Sequence, residues 1–136
     1  MFRFFQKYSH VSVFFLRVGV AMIFVFHGYN KLFGPGAPQK MIDYLTKIGF
    51  PFPVGCAYVA GGVEFFGGIM IGLGLLTRQA SLGVIIVMLV AVFFVHRNDP
   101  YREMEHAVQM LVLSIGTLYS GSGSFSLENL VKKHGD

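Results

Sequence analysis

The chain is poor in exactly those residues that would simplify its assignment: one cysteine, no tryptophan, and charged side chains at only 13% of positions. A lone Cys56 forbids an internal disulfide, and so excludes a membrane thiol oxidase working through its own paired cysteines. It is read as a small packing residue near one end of an apolar run. Metal chemistry finds no support, because His10, His27, His96, His106 and His134 show no recognised ligand spacing. Haem held by His27 with His96 or His106 is disfavoured, since none forms a matched pair at mid-membrane depth. Strand-like alternation is also lacking, which argues against a membrane barrel. The few charges sum to a formal +4, which suits anionic lipid headgroups better than nucleic acid.

What is present is apolar. Hydrophobic residues make up 54% of the 136 positions, and the mean hydropathy is +0.60, beyond the range of an ordinary soluble domain. A spanning helix needs about 20 mostly apolar residues at ~1.5 Å each. Four stretches qualify, at residues 11–33, 54–76, 79–95 and 104–119, the last two near the short limit. Arg17 and the lack of a small-x-small cleavage pattern in "HGYNKLFGPG" argue against a removable signal peptide. The expected fold is therefore all-α: a single domain over 1–136, a polytopic four-transmembrane-helix bundle. After the breaker "FGPGAPQ", Met41, Leu45 and Ile48 recur at helical spacing away from Lys40, Asp43 and Lys47, predicting a short interfacial helix between spans one and two that Gly49 closes. Spans two and three share a tight turn around "TR". After "SGSGS", Ser126 can cap a last amphipathic helix with Lys132 and Lys133 near its end. Four spans put both termini on one side. The clustered Arg3, Lys7, Lys132 and Lys133 place that side in the cytoplasm.

Ionisable groups within these stretches carry the functional signal. At about 100° per residue, Arg17 and Lys31 fall within ~40° of each other on span one and His27 within ~80° of Arg17. Glu64 falls near the centre of span two, in "GGVEFFGG". An unpaired carboxylate there is costly, so it must be paired, protonated or wetted by a cavity. Span one offers Arg17 or His27 as partner; span four adds Gln109 and, further out, His106 and Glu105. The prediction is a polar pocket between helices, opening away from the termini. Glu64 and His27 are its candidate catalytic groups; Arg17, Phe24, Lys31, Gln109 and His106 line it. Phe65 and Phe66 are read as walls or as simple packing. Gly68 and Gly72 form a small-xxx-small pair that lets backbones approach. The structural alternatives stay open: Arg17 with Glu64 as a pair fixing register, Lys31 snorkelling to headgroups, and His96, Arg97, Glu103 and Glu105 as a solvated loop.

"LRVGVAMIFVFHGYNKL", "GFP" in the first loop, "EFFGGIMIGLGLLTR", a histidine ending span three and "GSGSFSLE" together resemble the DoxX family of bacterial membrane proteins over nearly the whole chain. Glu128 stands where that family commonly has aspartate. The resemblance implies a four-helix inner-membrane protein, a subunit of an oxidoreductase system tied to the quinone pool through sulfur or redox-stress chemistry. Under it Arg17, His27, Gly28, Lys31, Glu64 and Arg78 match recurrent positions. Three functions follow as expectations. The first is a quinone-associated subunit, with quinone as ligand, membrane lipids around it, a redox partner protein supplying electrons, and self-association left open. A proton-coupled transporter is the second, although small exporters of this size differ in the position of their glutamate and in having tryptophan. The third is an assembly protein whose charges serve packing.

Overall fold

The computed structural model describes residues 2–134. Among them there is no strand, and the regular structure is all helical: α1 (Phe2–Lys7), α2 (Ser9–Phe33), α3 (Gln39–Lys47), α4 (Pro53–Leu73), α5 (Thr77–Val90), α6 (Tyr101–Ser120) and α7 (Leu127–His134). Helix α5 continues into a π-helical turn, Ala91–Val95. Three of these are long and apolar enough to cross a membrane, namely Ser9–Phe33, Pro53–Leu73 and Thr77–Val95. The fourth expected span lies inside α6, whose first turns carry Arg102, Glu103 and Glu105. No sequence signal pointed to α1 as a separate helix, and the expected starts of the first and third spans move outward to Ser9 and Thr77.

Local chemistry sets the helix ends. Pro53 occupies the first turn of α4, where its missing N–H costs nothing. Gly74 closes α4 at φ 68°, and the N–H groups of Gly74 and Leu75 return to the carbonyls of Ile71 and Met70, a glycine-closed C-terminus. Gly49 does the same after α3 at φ 72°. Ser126 caps α7 by accepting the Asn129 N–H at 3.2 Å, as its side-chain type predicts.

Helices α2 and α4 make the closest approach. A Cβ on Gly68 would stand 2.9 Å from the Phe24 Cβ, one on Gly72 2.9 Å from the Ala21 Cβ, and one on Gly28 inside the Phe65 backbone. Between α5 and α6 the buried Ser81 and Thr117 hydroxyls meet at 2.8 Å. Val20, Phe24, Ile71, Val84, Met88 and Met110 fill the space among the four long helices. At one end the C-terminal segment folds over the α4–α5 turn, the Glu128 N–H reaching the Gly74 carbonyl at 3.2 Å. At the other, α3 leans on α4 and the α5–α6 connection, where Asp99 Oδ2 accepts from Tyr44 Oη at 3.2 Å and lies 2.8 Å from His96 Nδ1.

Candidate functional site

Glu64 is brought into the bundle by the glycine seam. With Gly28 packed on the Phe65 backbone, one turn further along α2 carries Lys31 to the carboxylate, Nζ to Oε1 at 2.5 Å. The two ends of this pair differ sharply: Glu64 is 1% exposed and Lys31 30%. The second carboxylate oxygen, Oε2, is buried without a protein partner. Such an atom calls for water, a proton or a ligand.

Glu64 lines a chamber of about 180 Å³. Phe24, Met88 and Ala107 form its apolar sides, and His27, His96, Glu103 and His106 its polar ones. The rings of His27 and His106, from α2 and α6, lie 4.1 Å apart between centroids. Every polar side chain here is an imidazole, a carboxylate or the one ammonium, so the chamber can bind an acceptor and exchange protons with it. On the far side of the Lys31–Glu64 pair lies an apolar groove of about 540 Å³ between α3, α4 and α5. The rim carries a titratable cluster outside the spanning segments. Hydrogen bonding from His96, then from Tyr44, holds the Asp99 carboxyl below the usual carboxylate range, while burial first, and Asp99 second, raise the Tyr44 phenol. Among the described residues no group of three or more His, Cys, Asp or Glu could hold a metal ion.

The family model described as DoxX matches residues 12–97. This chain belongs to the DoxX family. Similar DoxX-related proteins include an uncharacterised protein of Haemophilus influenzae, 31% identical over 91% of this chain and 93% of its own length. "Putative oxidoreductase CatD" of Bacillus subtilis is 28% identical over 96% of this chain and 97% of its own. "Inner membrane protein YqjF" of Escherichia coli is 27% identical over 94% and 98%. No solved structure matches.

Within this DoxX chain, five of the seven expected site residues converge: His27, Glu64, Phe24, Lys31 and His106 all line the chamber. Arg17 does not. It is buried at the opposite end of α2, where its Nη2 donates to the Phe125 carbonyl, so it cannot be the partner of Glu64; Lys31 is, and it does not merely snorkel. Gln109 is exposed and donates to Glu105 Oε1 at 2.9 Å on its own helix. His96 and Glu103, expected in a solvated loop, also line the chamber; Glu103 is exposed as expected, but on the first turn of α6. The three-residue step from Glu103 to His106 puts both on one face of α6, and that spacing was the available signal. Phe66 is 61% exposed, and Phe65 packs edge-on to Phe33; neither walls the chamber.

Proposed function

We propose that this protein is the membrane subunit of a quinone-linked oxidoreductase system concerned with sulfur compounds or redox stress, seated in the bacterial inner membrane. In this reading α6 is the fourth span of a four-helix bundle, α3 lies at the membrane surface, and both termini face the cytoplasm. The printed names of the Bacillus and Escherichia relatives support the redox and inner-membrane parts. The observation that carries the rest is Glu64, buried with its Oε2 unpartnered, lining a small chamber together with His27, His96 and His106.

A quinone ring needs a flat apolar slot and a few donors aimed at its carbonyl oxygens. When bound it takes up two electrons and two protons to become the quinol. His27 donates to one ring oxygen, and Glu64, through Oε2, relays a proton toward that position. Lys31 holds the carboxylate in place and compensates its charge at a depth where a bare anion is costly. His106 and Glu103 continue the line of exchangeable groups toward the exposed end of α6. Phe24 and Met88 supply the apolar sides. Electrons come from a partner protein or from a small thiol-type reductant.

Protein purified in mild detergent from native membranes tests this. Quinone in its organic extract, lost in Glu64→Gln and His27→Phe proteins that remain folded, with melting shifted by no more than a few degrees, is the expected result. A second reading, proton-coupled transport, draws on Glu64 lining both the chamber and the groove. It predicts proteoliposome flux that Glu64→Gln abolishes, with no quinone in the extract. A Glu64→Gln protein altered only in stability would leave a packing role.

A further inference from the structure

The polar chamber and the apolar groove are not independent. Lys31, Glu64, Ala91 and His96 line both, so the two spaces abut along a seam of four residues. Three features favour passage across that seam. Ala91 presents only a methyl group. Ala91–Val95 is π-helical, and such wide turns recur at functional sites because they re-aim the side chains around them. Lys31, the longest side chain there, is a partly exposed flexible chain.

Beyond the seam the groove is built to hold something narrow and greasy. Gly55, Cys56 and Ala60 give the α4 wall almost no side chain, and the buried Leu45 of α3 lies across from them. Its rim is lined by Phe52, Val59 and Ile86, which are 85%, 61% and 54% exposed, so the mouth faces outward where a bilayer ligand arrives sideways. Resting on the quinone reading, we propose that this groove is the exit for the isoprenoid tail of a quinone whose ring sits in the chamber, the chain crossing the Lys31–Glu64–Ala91–His96 seam.

The physical role of such an exit is steric. Lipid tails are as apolar as the groove, so moving a tail from bilayer to groove gives little binding energy. What the groove decides is whether a tailed ring can seat at all. Two substitutions separate tail from ring. Gly55 lines the groove and a Cβ there would meet no atom within 4 Å, so Gly55→Phe adds bulk at the groove without displacing a neighbour; Ala60→Phe adds it from deeper along α4. Neither residue lines the chamber.

Binding is measured by tyrosine quenching for a fully substituted ubiquinone ring bearing a decyl chain and for duroquinone, which has no tail and no free ring carbon for Cys56 to attack. Both should bind the unaltered protein. Each variant, checked by gel filtration and melting, should weaken the decyl compound by about tenfold or more, the scale of forcing bulk into a filled apolar space, and leave duroquinone within about twofold. The decyl compound, not duroquinone, should also slow maleimide alkylation of Cys56. If both variants bind the decyl compound as before, the tail leaves elsewhere and the inference falls alone. Equal loss of both compounds also overturns it, since the groove then has no separate part. If neither compound binds the unaltered protein, the quinone reading itself fails.

Discussion

Glu64 and Lys31 respond differently to the loss of the other. Glu64 is buried to 1% exposure, whereas Lys31 retains 30% and can swing its ammonium toward water on a flexible stem. Lys31→Met therefore strands a carboxylate, a loss on the scale of 3–5 kcal/mol for a broken buried pair. Glu64→Gln frees a cation that has somewhere to go, and costs about 1 kcal/mol. The double substitution recovers most of the difference. Melting in detergent reads this order directly, and a Lys31→Met protein at least as stable as Glu64→Gln would show that the carboxylate is carried protonated. That the acidic group needs a partner was legible from its surroundings in "GGVEFFGG"; which partner was not. Arg17 and Lys31 share a face of α2, and the step of fourteen positions from one to the other amounts to about 21 Å of axial distance. Only the register of α4 against α2 decides, and that register rests on Gly28 against Phe65 and Gly68 against Phe24, contacts no helical projection of one segment contains.

Those contacts make a prediction about whole helices. In Gly28→Ala the new methyl group would overlap the Phe65 backbone, whereas at Gly62 nothing lies within 4 Å. Gly28→Ala should push α2 off α4 and destabilise by about 1–3 kcal/mol. Gly62→Ala should be neutral or stabilising by up to about 1 kcal/mol through helix propensity. Equal melting shifts for the two would mean that the glycine seam does not set the spacing. Helix α3 is held differently, through Tyr44, Asp99 and His96, with Glu103 acting on Tyr44 from nearby. Because the Asp99 carboxyl is depressed when folded, it contributes stability above its unfolded value, and that contribution is lost as pH falls through the folded one. Proteolysis of α3 should accelerate below about pH 4, and Asp99→Asn should cleave faster at neutral pH with that acid step removed; an unchanged acid step would assign it elsewhere. The short helix itself was legible, from its Gly/Pro borders and the spacing of Met41, Leu45 and Ile48. The π-helical turn was not, because "AVFFV" reads as ordinary helix and its widening depends on what α5 packs against.

At the scale of the molecule the two ends differ, with the chamber at one and closure of the bundle at the other, and Arg17 belongs to closure. Its guanidinium donates to the Phe125 carbonyl, occupies the space that a side chain at position 74 would need, and leaves Nε and Nη1 without partners. A buried cation with no carboxylate is a poor stabiliser in itself; what it does is tie the start of α2 to the α4–α5 turn and the segment leading into α7. Arg17→Met keeps the stem and removes both the charge and the bond. The lost charged hydrogen bond, about 1.5–3 kcal/mol, is offset by ending the cost of desolvating an unsatisfied guanidinium, so bundle melting should move little. Release of α7 should not be small: proteolysis within Leu127–His134 should accelerate severalfold, with Arg17→Lys intermediate because a single ammonium can still reach one carbonyl. Ring binding in the chamber should stay as it was, since His27 stands ten residues, or about 15 Å, further along α2. If Arg17→Met instead abolishes quinone binding as His27→Phe does while α7 stays protected, then the two ends are coupled through α2, and the carboxylate senses a charge that the geometry places out of its reach.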